Sequence, residues 1–160
     1  MIAGLGVDIV EIGRMATALA RHPSMRERLF SAEERAYCDK RNRPEIHYAL
    51  RFAAKEAVLK ALGTGFAGMR FTDVEVVRDA GGRPSPRLSG RAAEVAESLG
   101  VVELHLSLSH THTTAVASAV AMTTPREADA VDDPAKRRAA AFKDARAILD
   151  DLDDSGPVPG

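Results

Sequence analysis

The 160-residue sequence contains no tryptophan and one cysteine, and aromatic residues make up only 4% of it. The single cysteine, Cys38, cannot form a disulfide within the chain, so we expect a reducing compartment. No group of cysteines and histidines has the spacing of a zinc site. The chain also lacks a basic stretch rich in aromatic residues, which argues against a nucleic-acid partner.

Long apolar runs are absent as well, and none approaches the roughly 18 residues that would cross a bilayer. The N-terminal segment has no basic residue before its first apolar stretch and reaches Asp8 and Glu11 early, unlike a signal peptide. Residues 1–123 carry 16 basic and 14 acidic side chains, whereas residues 124–160 carry 6 and 9. We therefore expect a cytoplasmic protein with no membrane contact, a mildly basic domain and an acidic tail.

The most informative stretch is RFAAKEAVLKALGTG, residues Arg51–Gly65. Its apolar residues recur at spacings of three and four, which predicts a helix with a buried face. Glu56 and Lys60 are four apart and therefore lie on one side of this helix. Gly63 and Gly65 are expected to end it. Taken alone, the stretch is also compatible with a buried helix that carries an ordinary surface ion pair.

The N-terminal segment predicts a buried strand over Ile2–Val7 that ends near Asp8, followed by a helix over about Glu11–Arg21. Asp8 would then lie at the junction between strand and helix. An aspartate at such a boundary is often a helix N-cap, and this interpretation stays open here.

The remaining elements of the domain follow from periodicity and from turn residues. Alternation of leucine with polar residues after Val102 predicts a strand that forms a hairpin with the next one. The predicted elements are a helix over about Ala32–Lys40 begun by Ser31 and Glu34, a strand over Phe71–Arg78, a turn over Asp79–Pro86, a short strand over Arg87–Ser89, a helix over Gly90–Gly100, and strands over Val102–Ser109 and Ala115–Met122.

Residues 1–123 are expected to form the domain, and the rest of the chain differs in composition. An acidic linker over 124–133 is followed by a predicted helix over 134–152. Its narrow apolar seam would pack on the domain or on a partner helix, or the helix would be frayed and solvated. Residues 153–160 are expected to be disordered.

Three separated pieces carry the chemistry: Asp8, the pair Glu56 and Lys60, and His110, which follows a serine-rich strand. Two carboxylates from different elements suit Mg²⁺, which takes oxygen ligands and often completes its shell with substrate phosphates. A lysine and a histidine nearby would add donors for those phosphates. The residues alone therefore indicate a magnesium-assisted reaction at a phosphate.

At these residues the sequence resembles the holo-[acyl-carrier-protein] synthase family, the small type of 4′-phosphopantetheinyl transferase. The resemblance covers about residues 1–123. It implies an α+β fold in which an antiparallel sheet packs with a long central helix. The matching stretches are GLGVDIVEI at Gly4–Ile12, RFAAKEAVLKALGTG at Arg51–Gly65, the G-R-P turn at Gly82–Pro84, and HLSLSHTHTTAVASAV at His105–Val120.

The resemblance implies transfer of the phosphopantetheine arm of coenzyme A to a serine of apo acyl carrier protein, with release of adenosine 3′,5′-bisphosphate. Asp8 and Glu56 would bind Mg²⁺, and Glu56, Lys60 and His110 would act in catalysis. The group that takes the serine proton stays open between Glu56 and a metal-bound water. The coenzyme A phosphates and nucleotide would contact a set of residues spread over the motifs, namely Arg51, Lys60, Gly82, Arg83, Pro84, His110 and Thr111.

By the same resemblance, the helix after Asp8 would dock the acidic carrier protein, with Arg14 and Arg21 as the contacts. Family members of this size are homotrimers with shared active sites, so the turn at Gly82–Pro84 would come from a neighbouring subunit. Two other functions remain open: a silent binder of coenzyme A or carrier protein, and a different magnesium-dependent phosphate enzyme. Whether the carrier serves fatty-acid or polyketide synthesis is not readable from the residues.

Overall fold

The protein is described by a computed structural model that covers residues 1–65 and 68–124. Within these residues no helix is long and apolar enough to cross a membrane. The predicted linker beyond residue 124, the helix over 134–152 and the tail lie outside them. The elements in chain order are β1 (Ile2–Glu11), α1 (Ile12–Arg21), α2 (Met25–Leu29), α3 (Ala32–Asp39), α4 (Pro44–Ala61), a 3₁₀ turn (Phe71–Asp73), β2 (Val74–Arg78), β3 (Pro84–Leu88), α5 (Gly90–Ser98), β4 (Val101–His110) and β5 (Thr114–Thr123).

Helix α4 is the centre of the fold and packs against a three-stranded antiparallel sheet of order β1-β5-β4. Strand β5 pairs with β4 in the predicted hairpin, and its alanines are fully buried in the core against α4. Strands β2 and β3 form a separate antiparallel pair. The expected α+β fold, with an antiparallel sheet packed on a long central helix, is confirmed. The alanines of β5 that face the core are Ala115, Ala117, Ala119 and Ala121.

Two glycines of β1 let α4 approach the sheet closely. A Cβ atom at Gly6 would lie 1.9 Å from the backbone oxygen of Ala57, and one at Gly4 would lie 1.9 Å from the oxygen of Ala61. A backbone oxygen cannot move aside without moving the helix, so no residue with a side chain fits at either position. The GLG motif is therefore a requirement of helix–sheet packing.

Gly6→Ala is expected to lower the free energy of unfolding by about 3 kcal/mol or more, because α4 must shift off the sheet. Gly13→Ala is the matched control, since a Cβ atom at Gly13 meets nothing within 4 Å. In helix α1 the control substitution should be neutral or stabilise by up to about 1 kcal/mol. Urea unfolding of both variants checks this, and equal stability for the two would contradict the close packing.

Strand β1 is longer than its sequence predicts. Pairing with β5 continues from Asp8 opposite Ala117 to Glu11 opposite Thr114, and α1 begins only at Ile12. The prediction that Asp8 ends the strand is therefore wrong, and so is its alternative as a helix N-cap. The strand continues because β5 supplies backbone partners up to its own first residue, a long-range effect that the local pattern does not carry.

Two other predicted strands have different bounds in the structure, and one short helix is missing from the prediction. Residues Phe71–Asp73 form a 3₁₀ turn, because the side chain of Asp73 accepts a hydrogen bond from the backbone of Arg70 and closes the turn. Strand β2 therefore begins at Val74. Strand β3 runs over Pro84–Leu88 rather than Arg87–Ser89, because it pairs with all of β2. The short helix α2 was not predicted.

A buried ion pair joins α3, α4 and β2. Lys55 Nζ lies 2.7 Å from Glu34 Oε2, and both side chains are fully buried. Glu34 also accepts hydrogen bonds from the backbone amides of Ser31 and Val76, and its amide bonds the Ser31 hydroxyl in the predicted capping box. Lys55 therefore holds the first turn of α3 against α4. This buried ion pair explains why a lysine stands next to Glu56 in the motif.

Candidate active site

Strand β1 and helix α4 bring Asp8 and Lys60 together. Lys60 Nζ donates hydrogen bonds to Asp8 Oδ1 at 2.8 Å and to the backbone oxygen of Val7 at 3.0 Å. The Asp8 side chain is mostly buried, whereas that of Lys60 is about half exposed. Lys60 thus pairs with Asp8 across the helix–sheet contact. The simple surface ion pair between Glu56 and Lys60 that the helix alone would allow is not present.

Glu56 belongs to the same group and lies on the partly exposed side of α4. Burial raises the pKa of its carboxyl group, and the negative charge of Asp8 raises it further, against the opposing charge of Lys60. The hydrogen bond to Asp8 in turn raises the pKa of the Lys60 ammonium group. The three predicted residues Asp8, Glu56 and Lys60 therefore form one electrostatically coupled group.

Two carboxylates of this group offer hard oxygen ligands for a metal. No cluster of three or more His, Cys, Asp or Glu side chains suited to a metal occurs in the described part of the chain. A pair of carboxylates leaves most of the positions around an ion open, which fits Mg²⁺ because this ion keeps waters and binds substrate phosphates. The charge of Asp8 raises the pKa of Glu56, and a cation between the two carboxylates would relieve this repulsion.

His110, the third predicted piece, lies in a second group that is strongly basic. It ends β4 and faces a groove that is also lined by Arg43, Ile46 and His47 near the start of α4. Its Nδ1 atom lies 3.1 Å from the Thr111 backbone oxygen. A carbonyl oxygen only accepts, so Nδ1 donates this hydrogen bond, and Nε2 makes no hydrogen bond within the described residues.

Arg51 also lies in this second group. Its side chain is only 6% exposed, and its Nε atom is buried without a hydrogen-bond partner in the described residues. The guanidinium group packs on the ring of Tyr37 at 3.9 Å from the centroid. Arg51 is therefore not beside Glu56 but around the helix from it.

The predicted nucleotide turn borders the second group. Gly82 has φ of 79° and its amide bonds the Asp79 oxygen, while the Arg83 amide bonds the Asp79 side chain. Arg78 donates a hydrogen bond to the Gly82 backbone oxygen. Pro84 lines a groove with Arg51 and Tyr37. The predicted nucleotide contacts at Gly82–Pro84 and Arg51 thus lie in one region of the chain.

The two groups do not form a single cleft within one chain. Nine residues separate His47 from Glu56 on α4, which is about 13 Å along the helix and about 180° around it. Opposite sides of a helix that is packed in a core cannot line the same cavity. Within one chain, Asp8, Glu56 and Lys60 are therefore brought together, and His110 and Arg51 lie apart from them.

The two arginines predicted to contact a partner are both exposed on α1. This helix buries Ile12, Met15 and Leu19, so Arg14 and Arg21 project from its opposite side. Their seven-residue spacing places them on one stripe. The predicted basic face of the helix is present, and its partner stays a prediction.

Sequence reasoning missed several members of the basic group. His47 is not part of any motif, but it lies among charged groups: burial first, and then Arg41 and Arg51, lower its pKa. Tyr37 and Arg78 were not singled out, although the Arg78 guanidinium donates to the Tyr37 hydroxyl at 2.7 Å. These residues are far apart in sequence, so no local pattern marked them.

Comparison with known proteins gives one family. The model of the 4′-phosphopantetheinyl transferase superfamily matches residues 4–121. The holo-[acyl-carrier-protein] synthase of Moorella thermoacetica is 49% identical over 117 residues, which are 73% of this chain and 90% of that protein. The synthase of Alkaliphilus metalliredigens is 47% identical over 122 residues, covering 76% and 99%.

A solved structure is similar as well. The holo-(acyl-carrier-protein) synthase of Bacillus anthracis, in complex with CoA (3′,5′-ADP), superimposes with a TM-score of 0.63 at 35% identity, covering 78% of this chain and 99% of that one. Residues 4–121, which the family model matches, contain Asp8, Glu56 and Lys60. The chain belongs to the 4′-phosphopantetheinyl transferase superfamily.

Proposed function

We propose that this chain transfers the 4′-phosphopantetheine arm of coenzyme A to a serine of apo acyl carrier protein and releases adenosine 3′,5′-bisphosphate. The coupled group of Asp8, Glu56 and Lys60 is the observation that carries the proposal. Relatives named holo-[acyl-carrier-protein] synthase, one of them solved with coenzyme A, support it. Release of adenosine 3′,5′-bisphosphate that requires the apo carrier tests it, and release without the carrier would contradict it.

Asp8 and Glu56 would hold Mg²⁺ in this reaction. The ion would supply positive charge at the pyrophosphate of coenzyme A, whose P–O bond breaks as adenosine 3′,5′-bisphosphate leaves. Lys60 has three ammonium hydrogens, and Asp8 and Val7 accept two of them. The third remains to donate to the leaving phosphate, which fits a role in stabilising the charge that develops there.

The serine proton is assigned to Glu56. Its carboxylate belongs to the coupled group with Asp8 and Lys60, so it would stand beside the reacting phosphate as a proton acceptor. His110 and Arg51 would bind phosphate groups of coenzyme A from the basic group, where the protonated His110 ring would donate from Nε2 and burial fixes Arg51. Thr111 and the turn at Gly82–Pro84 would complete the nucleotide contacts.

We place the carrier protein on α1, where an acidic partner would meet Arg14 and Arg21. Arg14→Glu together with Arg21→Glu is expected to raise KM for the apo carrier about tenfold, with kcat and KM for coenzyme A nearly unchanged. The effect should shrink at high salt because these charges are exposed. Steady-state kinetics at two ionic strengths measures it.

Arg91→Glu on α5 is the matched control for this charge reversal, since Arg91 is exposed and pairs only with a neighbour on its own helix, Glu94. It should leave KM for the carrier within about twofold. An equal rise in KM for this control and for the α1 variant would contradict docking on α1.

The separation of the two groups supports a homotrimer with shared active sites. Lys60 and Glu56 of one chain would face His110 and the basic group of the next chain. The trimer would work in a reducing cytoplasm. The outer face of β1 supports an assembly as well: Leu5 is 64% exposed and Ile9 65%, which is unusual for a row of large apolar residues on a strand.

Leu5→Glu is therefore expected to reduce the assembly from three chains to one and to abolish transfer. Leu99→Glu is the control, because Leu99 is an exposed apolar residue that follows α5, outside this sheet face. Sedimentation equilibrium gives the mass of each variant. A wild-type protein with the mass of a single chain and full activity would overturn the trimer.

A further inference from the structure

Tyr37 lies at the centre of the basic group and is contacted by three arginines. The guanidinium carbons of Arg51, Arg41 and Arg78 lie 3.9, 4.3 and 5.3 Å from the centre of its ring. Such distances are those of cation–π contacts. The three arginines come from different parts of the fold: α4, the α3–α4 connection and β2.

The phenol hydroxyl adds a directional contact to this arrangement. Arg78 Nη2 donates to Tyr37 Oη at 2.7 Å, and Arg78 Nη1 donates to the Gly82 backbone oxygen. One side chain thus joins the ring that holds Arg41 and Arg51 to the nucleotide turn. Burial acts to raise the pKa of Tyr37, but the Arg78 hydrogen bond and the arginine charges together hold that pKa below its usual value.

Within the residues that the structure describes, no carboxylate forms an ion pair with this cluster. Among the ion pairs of residues 1–65 and 68–124, none includes Arg41, Arg51 or Arg78. Arg51 is buried, and its Nε atom has no hydrogen-bond partner among these residues. Three guanidinium groups repel one another unless an anion lies among them. A phosphate offers both the charge and the acceptors that they lack.

We propose that Tyr37 is a positioning residue that holds Arg41, Arg51 and Arg78 as a binding site for a phosphate at the nucleotide end of coenzyme A. This inference rests on the proposed function for the identity of its ligand. The ring contacts all three guanidinium groups, and the hydroxyl fixes Arg78 against the turn. Tyr37 itself touches no reacting atom.

Kinetics of two variants separate the ring from the hydroxyl. Tyr37→Phe keeps the ring and loses the Arg78 bond, so KM for coenzyme A should rise about fivefold. Tyr37→Leu loses both, so KM should rise about thirtyfold. In each variant kcat and KM for the carrier should stay within about twofold of wild type, because the chemistry and the docking helix are untouched.

Comparison of coenzyme A with 3′-dephospho-coenzyme A identifies the phosphate. If the ribose 3′-phosphate is bound, KM for the dephospho compound should be insensitive to Tyr37→Phe. If the pyrophosphate is bound, KM for both compounds should rise equally. Either result supports positioning by Tyr37.

Tyr48→Phe is the matched control. The Tyr48 hydroxyl also makes a hydrogen bond, here as the donor to Asp39 at 2.9 Å, and its ring also contacts an arginine, Arg26 at 5.3 Å, but Tyr48 is fully buried. Tyr48→Phe should lower the melting temperature and leave KM for coenzyme A unchanged. KM changes below twofold in both Tyr37 variants, or an equal rise in the Tyr48 control, would overturn the proposal.

Calorimetry with adenosine 3′,5′-bisphosphate gives a readout that needs no transfer. Tyr37→Phe should weaken its binding about fivefold if the 3′-phosphate is held, and coenzyme A provides the same test if the pyrophosphate is held. A wild-type chain that binds these nucleotides without transferring the arm would refute the proposed function alone. Unchanged affinity for both nucleotides in Tyr37→Phe would refute the role of Tyr37 alone.

Discussion

Glu56→Gln is expected to lower kcat about a hundredfold to a thousandfold, because it removes both a metal carboxylate and the assigned proton acceptor. The fold should not suffer. Burial and the charge of Asp8 raise the pKa of Glu56 in the folded chain. The free energy of unfolding therefore falls as pH rises through that pKa, because the ionised carboxylate is less favourable in the folded chain than in the unfolded chain. The neutral glutamine carries no such cost, and the free energy of unfolding at pH 7 should be equal or higher.

Glu45→Gln provides the same chemical change on the same helix. Glu45 lies in the first turn of α4 and bonds the Arg43 side chain at 2.9 Å. Its replacement should alter kcat by less than about twofold, since a surface ion pair contributes little. Transfer by Glu56→Gln within fivefold of wild type, with the same dependence on Mg²⁺, would contradict the assignment of Glu56.

Lys55→Met should destabilise the chain by about 3–5 kcal/mol, because it leaves the Glu34 carboxylate buried without its cation. Lys55 also donates a hydrogen bond to the backbone oxygen of Phe71 at 3.0 Å. Loss of these contacts frees α3 and the segment before β2 from α4. Chemical unfolding measures the change. Lys40→Met, at the exposed end of α3, is the control and should cost less than about 1 kcal/mol.

Glu34→Gln tests the same ion pair through its pH dependence. Burial lowers the pKa of Lys55 even with Glu34 present. The folded chain therefore holds this proton less tightly than the unfolded chain, and the free energy of unfolding rises with pH below about 10.5. Glu34→Gln removes the charge that opposes the shift, so this rise should begin at a lower pH and be larger in total than in the wild type. If the free energy of unfolding of this variant did not change with pH, the result would contradict an electrostatic role for the pair.

Local chemistry was enough to predict several elements. Ser31 and Glu34 predicted the start of α3 because a capping box is complete within four residues. Gly63 adopts a positive φ of 71° just beyond the end of α4, as its position after an apolar helix indicates. The alternating leucines of β4 predicted a strand, and the structure places it at Val101–His110.

Long-range contacts were not predictable in the same way. Strand β1 continues past Asp8 because β5 pairs with it. The group of Asp8 with Glu56 and Lys60 was inferred from the chemistry of two carboxylates and a lysine, and the fold brings the three together. Tyr37 and Arg78 meet although 41 residues separate them, so the basic cluster exists only in the folded chain.

The most direct test of the central proposal is the intact mass of an apo acyl carrier protein after incubation with this chain, coenzyme A and Mg²⁺. The account predicts a gain of about 340 Da, the mass of a phosphopantetheine arm, that disappears without Mg²⁺ and nearly disappears with Glu56→Gln. A carrier of unchanged mass across several apo carriers, with coenzyme A still bound to the chain, would instead identify a silent binding protein.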